Sequence, residues 1–216
     1  AWQIPAVCPR CGTATQRFGD DVATYCPNVA CPGRQLEGLV HFASKDAMDI
    51  DGLSYARIQQ LLDAGLVHDA ADLFALTAAP LVLLDRFAQK SAEALVTAIT
   101  TSKQQPLSRL LFGLGIRHVG AQAAQLLARH FGSMDALMRA TPEQLGAVRG
   151  IGGIIAQSVA DYVSDPTSLA LIERLRDQGV RVDEPQAIVA DGPLTGATVV
   201  ITGSLPGLSR GEATAL

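Results

Sequence analysis

The sequence predicts a mainly α chain: a small four-cysteine zinc finger, an all-helical domain of four helix-hairpin-helix motifs, and the first strand of a truncated α/β domain. Three observations carry this. All four cysteines lie in the first 31 residues. One short pattern, a tip residue followed by an apolar and then a small residue, recurs four times between residues 52 and 152. A β-branched run, Ala197-Thr198-Val199-Val200-Ile201-Thr202-Gly203, follows a stretch broken by Pro and Gly.

The 216 residues are 48% hydrophobic and 18% charged, enough to bury a real core. No apolar run approaches the roughly 18 residues that span a bilayer, and the N-terminus lacks a signal-peptide pattern, so no membrane partner and a cytoplasmic location are expected. A net charge of -4 argues against a generic basic nucleic-acid binder, and 5% aromatics argues against stacking platforms for single strands. The chain starts without Met and stops in mid-pattern, as a piece of a longer protein would.

Cys8 and Cys11 are C-x2-C, and Cys26 and Cys31 are C-x4-C fourteen residues later. Pro9, Gly12, Pro27 and Pro32 bend each pair into a turn whose thiolates converge, and two such turns offer a tetrahedral sulfur cage. Zinc is the first choice. Iron suits sulfur tetrahedra too, and two disulfides are the other reading, disfavoured in a reducing compartment. A closed cage has no open coordination position, so its role is structural. His41 reads as an ordinary residue.

Residues 35 to 43 read as a mixed apolar crossing, and helix is expected from Lys45 onward. Ala47, Ile50, Leu53, Ile58, Leu61 and Leu62 make an inward face, and Gly65 marks a stop. Asp49-Ile50-Asp51-Gly52 lacks the remaining ligands of a calcium loop. A short helix is expected from Asp69 to Thr77, another from Pro80, one running to about Thr101, and one from Pro106. Thr141-Pro142-Glu143-Gln144 is a capped start. Asp165-Pro166 is another, with Leu169, Ile172 and Leu175 on one face as far as Gly179.

The four copies are Gly52-Leu53-Ser54, Arg86-Phe87-Ala88, His118-Val119-Gly120 and Gly150-Ile151-Gly152. Each is followed by inward positions: Ile58, Ala92, Ala124 and Ala156, then Leu61, Leu95, Leu127 and Val159. Repetition of one supersecondary unit implies stacked pairs sharing a core. A helix beginning at Gly153 would aim unpaired N–H groups outward, the recipe for an anion site. Plain short loops in a helical array are the competing reading. Small residues at so many tips favour close approach by another backbone.

The order of pieces closely resembles the C-terminal part of the bacterial NAD-dependent DNA ligases: zinc finger, helix-hairpin-helix domain and the start of a BRCT domain. The residues that carry it are Cys8, Cys11, Cys26 and Cys31; Met48-Asp49-Ile50-Asp51-Gly52; Gln89-Lys90-Ser91-Ala92; Leu114-Gly115-Ile116-Arg117-His118-Val119-Gly120; and Thr202-Gly203-Ser204-Leu205 with Ser209-Arg210. The domains expected are 1–35 (zinc finger), 36–180 (hairpins), 181–195 (linker) and 196–216 (incomplete BRCT). Ser54 and Ala88 stand where the second hairpin glycine is typical, and Arg86 and His118 where the first is. The first three hairpins are therefore expected to be less regular than the fourth.

The resemblance implies a DNA clamp for an enzyme that joins 3′-hydroxyl and 5′-phosphate ends at nicks in duplex DNA, without reading sequence. NAD and Mg would be bound outside this chain, in adenylation and OB domains that it lacks. None of Lys45, Lys90 and Lys103 lies in a Lys-x-Asp-Gly motif, so no catalytic residue is expected here. The DNA-binding candidates are Gly52, Leu53, Ser54, Ala88, Gln89, Lys90, Arg117, His118, Val119, Gly120, Gly150, Ile151, Gly152 and Gly153. Backbone N–H groups and a few cations such as Arg57, Lys90, Arg117 and Arg149 can grip phosphate without a basic surface, which answers the charge objection. The rivals are a hairpin module of a repair nuclease or recombination protein, and a protein-interaction scaffold.

Overall fold

Capping chemistry and apolar spacing together decide where the helices begin. The structure is a computed structural model that describes residues 4–17, 22–28 and 30–185, all within one unit, Ala1–Pro185. Its helices are α1 (Pro32–Ala43), α2 (Tyr55–Asp63), α3 (Ala70–Leu73), α4 (Ala78–Leu81), α5 (Gln89–Ser102), α6 (Leu107–Gly113), α7 (Ala121–Phe131), α8 (Met134–Met138), α9 (Pro142–Gly146), α10 (Gly153–Ser164) and α11 (Pro166–Asp177). The expected strand at 197–203 and the BRCT start lie outside the described residues.

Two starts follow the sequence closely. The Gln144 side chain accepts from the Thr141 N–H at 2.9 Å while the Thr141 hydroxyl accepts from the Gln144 N–H at 3.3 Å, a reciprocal cap on α9. The Asp165 carboxylate accepts from the Ser168 N–H at 2.8 Å, and Pro166 takes the first position of α11.

Within the array α1 packs on α2, α4 on α5, α6 on α7 and α9 on α10. The inward residues merge into one hydrophobic core running from Leu36 to Val180. Ile58, Ala92, Ala124 and Ala156 are at most 2% exposed, and Leu61, Leu95, Leu127 and Val159 at most 1%, so the repeat read from the sequence is the repeat that builds this core.

The structure corrects five expectations. Residues 35 to 43 belong to α1, a full helix whose Leu36, Leu39 and Phe42 are buried; it runs from the fourth cysteine into the helical core and crosses the boundary expected at 35/36. Residues 45 to 48 form turns rather than helix, and 49 and 50 are irregular. Their carbonyls are partly taken by Arg109, whose guanidinium donates to the carbonyls of Lys45 and Ala47.

Third, residues 181–185 are docked instead of starting a linker. Arg181 N–H donates to Lys103 O, Asp183 O accepts from Leu107 N–H, and Glu184 N–H donates to Gly132 O. Backbone groups satisfied in this way have no reason to leave the core. Fourth, all four hairpin tips are regular, as their dihedral angles show below. The helix expected over Asp69–Thr77 shrinks to α3, capped by Asp69, although Leu73, Phe74 and Leu76 are buried as expected.

Candidate nucleic-acid interface and metal centre

The two cysteine turns converge. The four sulfur atoms of Cys8, Cys11, Cys26 and Cys31 all lie within 4.8 Å of one another, with Cys8–Cys31 at 3.8 Å and Cys11–Cys26 at 3.5 Å. A disulfide needs about 2.05 Å, whereas sulfurs about 2.3 Å from a central zinc sit about 3.8 Å apart at tetrahedral corners. The donor set fits zinc in chemistry and in spacing. Gly12 at φ +72 and the Gly12 N–H donated to Cys8 O at 2.8 Å close the first turn. Cys31 is the N-cap of α1, so the fourth ligand is held by a helix seated in the core.

The site is electrostatically uneven. Hydrogen bonding from Thr13 brings the Cys11 thiol down to about 6, and backbone hydrogen bonds from Arg10 and Cys11 lower Cys8. Burial pushes the Cys26 thiol up to about 12. A central dication held by the four sulfurs would supply the charge that ionises such a half-buried thiol. His41 is no ligand: its Nε2 is bonded to Phe112 O at 2.8 Å.

The hairpins share one backbone shape. The first tip residue is left-handed in every copy, with φ +87 at Gly52, +61 at Arg86, +63 at His118 and +93 at Gly150. The buried apolar residue behind it, Leu53, Phe87, Val119 or Ile151, donates its N–H to the carbonyl three positions back at 2.9 to 3.4 Å. The third residue is extended and is the N-cap of the next helix: Ser54 for α2, Ala88 for α5, Gly120 for α7 and Gly152 for α10. The tips pair. Gln60 of α2 donates to Asp85 O at 3.0 Å, joining the first to the second, and a methyl group placed at Gly150 would fall 2.8 Å from Leu126 of α7, so the fourth lies against the third.

The copies differ in how much of the tip is committed. Ser54 Oγ accepts from the Arg57 N–H at 3.4 Å, and the Ala88 N–H donates to Ser91 Oγ at 3.0 Å. Gly120 and Gly152 provide no side-chain cap, leaving first-turn N–H groups of α7 and α10 to solvent or a ligand. Nor does the fold require glycine at these two positions. Their φ values of -80 and -85 suit any residue, and no atom lies within 4 Å of a methyl group placed at Gly120, Gly152 or Gly153.

Of the sequence candidates, Leu53, Val119 and Ile151 are buried supports, while Gly52, Ser54, Ala88, Gln89, Lys90, Arg117, His118, Gly120, Gly150, Gly152 and Gly153 are exposed at the tips. Arg117 lies over the Tyr25 ring at 5.4 Å, which joins the third hairpin to the cysteine module. Three contributors escaped the sequence reading. Thr13 lies 3.3 Å from the Cys11 sulfur, and Arg34 donates to Cys26 O at 3.3 Å; neither position belongs to a motif. Ile154, 70% exposed beside Gly153, was legible in principle, since the equivalent copies carry Ala56, Lys90 and Gln122.

The comparisons agree with this geometry. Residues 7–32 match the model of the NAD-dependent DNA ligase C4 zinc finger domain. Residues 7–32 are thus similar to the zinc finger of the NAD-dependent DNA ligases. Residues 109–172, spanning the third and fourth hairpins, match the helix-hairpin-helix motif. The chain is 76% identical over 215 residues to a DNA ligase of Gemmatimonas aurantiaca, covering 100% of the chain and 31% of that protein. It is 48% identical over 214 residues to a DNA ligase of Symbiobacterium thermophilum, covering 98% of the chain and 32% of the relative. With a DNA ligase of Roseiflexus sp. it shares 45% identity over 218 residues, or 100% of the chain and 30% of the relative. The chain thus spans about a third of the length of the ligases it matches. Among the described residues no helix is long and apolar enough to cross a membrane.

Proposed function

We propose that the chain is the DNA-gripping portion of a bacterial NAD-dependent DNA ligase, a cytoplasmic enzyme that seals nicks between 3′-hydroxyl and 5′-phosphate ends during replication and repair. The observation that carries this reading is one tip geometry repeated four times, with unfilled space and uncapped N–H groups at Gly120 and Gly152, beside a ligase-type four-sulfur site. Such tips bind backbone phosphate by N–H donation, which positions a duplex without reading its bases. That suits a protein that must act at any nick. The cations Arg57, Lys90, Arg117 and Arg149 add charge without making the surface basic.

The zinc held by Cys8, Cys11, Cys26 and Cys31 is structural, since four thiolates leave no open position. NAD and Mg are bound by adenylation and OB domains of the whole protein, and this chain alone transfers no adenylate. Radiolabelled NAD that marked this chain in isolation would refute that last point.

The structure suggests a test in which folding and binding move in opposite directions. Aspartate is a better N-cap than glycine, but its carboxylate would repel phosphate. Gly120→Asp and Gly152→Asp should keep or raise the melting temperature. Affinity for a nicked duplex at low salt should fall about tenfold or more, as expected when charge-assisted hydrogen bonds are lost. Stable variants that bind nicked duplex as the parent does would remove the clamp reading.

A further inference from the structure

The four sulfurs of the cysteine site are not equally sheltered. Cys8 is 8% exposed and Cys31, the N-cap of α1, only 1%, whereas Cys11 and Cys26 are half-buried. The two half-buried cysteines come from different turns, and their sulfurs are 3.5 Å apart against 3.8 Å for Cys8 and Cys31. Cys26 also lines a surface cavity of about 360 Å³ between the cysteine module and the third hairpin, together with Tyr25, Pro27, Arg34, Gly115 and Arg117. Two guanidinium groups therefore border the approach to this sulfur. Arg34 is fixed there by donation to the carbonyls of Cys26 and Pro27 at 3.3 and 3.4 Å. A thiolate at a solvent-reachable, electropositive edge is the kind that oxidants attack, and a second cysteine within reach turns the product into a disulfide.

We infer that Cys26 and Cys11 form a peroxide-sensitive site, at which hydrogen peroxide converts two zinc-holding thiolates into a disulfide and so frees the metal. The inference rests on the zinc reading above and adds a chemical modification to it. The Cys26 thiolate attacks one peroxide oxygen: an S–O bond forms, the O–O bond breaks, and hydroxide leaves on the side bordered by the guanidiniums, giving a sulfenic acid. The Cys11 thiolate then attacks the Cys26 sulfur: the S–S bond forms, the S–O bond breaks and a second hydroxide leaves. The two sulfurs lose two electrons, the peroxide gains them, and solvent protonates both hydroxides to water. Cys8 and Cys31, covered by the fold, remain as two thiolates and cannot complete a tetrahedral site. A dithiol reductant restores all four ligands by thiol–disulfide exchange.

The test treats the zinc-loaded 216-residue chain, purified reduced and then freed of reductant, with hydrogen peroxide. Released zinc is read with a chromogenic chelator, and the cysteines by alkylation and peptide mass spectrometry without reduction. About one zinc should be released per peroxide consumed. The peptides should carry a Cys11–Cys26 cross-link with Cys8 and Cys31 alkylated, and dithiothreitol with added zinc should restore the starting state. Cys26→His keeps four zinc ligands but cannot form the disulfide, so it should hold its metal at a peroxide dose that empties the parent. Cys8→His, which keeps the reactive pair, should release zinc as the parent does. If the histidine variants fail to load zinc, the cross-link mapped in the parent decides. A parent that keeps its zinc at an excess that fully oxidises free glutathione, a cross-link joining any other pair, or a Cys26→His variant that empties as fast as the parent would overturn this inference alone. Reduced chain with no zinc by elemental analysis would overturn it together with the zinc reading.

Discussion

The Arg57 guanidinium lies 4.5 Å from the centre of the Phe87 ring, so the helix after the first tip is fastened to the buried residue of the second. The same guanidinium donates to Gly52 O at 3.4 Å, binding its own tip as well. Arg57→Ala should cost about 1 kcal/mol of stability, and Phe87→Ala, which empties a core position, about 3–5 kcal/mol. A double-mutant cycle in urea should return a coupling of about 0.5–1 kcal/mol between them. Additive effects would mean that the two hairpins are not joined there.

The two glycines of the fourth tip should respond unequally to alanine. Gly150 has φ +93, and its added methyl would meet Leu126 Cδ1 at 2.8 Å, so Gly150→Ala should cost about 1–3 kcal/mol. At Gly152, where φ is -85 and the space is open, alanine should cost about 1 kcal/mol or less, the ordinary loss at an N-cap. Chemical denaturation of the two single variants separates these cases. Equal losses would contradict the different roles assigned to the two positions.

Glu184 caps a helix from 76 residues away. Its carboxylate accepts from Ser108 N–H at 2.8 Å and from Ser108 Oγ at 3.0 Å, at an α6 start where Pro106 supplies no side-chain cap. Glu184→Ala should lower stability by about 1–2 kcal/mol, read as a drop in melting temperature. Glu184→Gln, which keeps one acceptor, should lose less.

Asp72 ties α3 to α11. Burial raises its pKa, but hydrogen bonds from the backbone and ring of His68 and the Arg174 guanidinium, whose Nη2 is 2.6 Å away, outweigh this and lower it overall. A carboxyl depressed in the folded state contributes stability that is present above its unfolded pKa and lost as pH falls through its folded one. Unfolding free energy measured in urea should therefore decline below about pH 4, and Asp72→Asn should flatten that decline.

Chelation should separate the cysteine module from the core. One zinc per chain is expected by elemental analysis of reduced protein. Its removal should expose the segment before Cys31 to proteolysis while most helical circular dichroism persists, because Leu36, Leu39 and Phe42 anchor α1 in the main core. Collapse of the whole helical signal on chelation would show that the core depends on the metal.

The sequence by itself determined the cysteine cage, the capped starts at Thr141 and Asp165, and the inward faces that follow each tip. Each of these depends on residues a few positions apart, so residue type and spacing suffice. The limits of that reading are equally local. Arg86 and His118 align with tip glycines, but their residue types favour an irregular turn, and they take the glycine conformation because the tip shape is imposed by the buried residue behind it and the helices on either side. Residues 35 to 43 looked like a crossing because apolar residues of α1 face a core assembled from distant helices. Polar residues at 181–185 looked like a linker because their partners, Lys103, Leu107, Ser108 and Gly132, are supplied only once the array has closed. Tertiary structure alone decided the pairing of the tips, the docking of that segment and the open space at Gly120 and Gly152. Such features arise from contacts, or missing contacts, between segments remote in the chain, and local propensity carries no record of them.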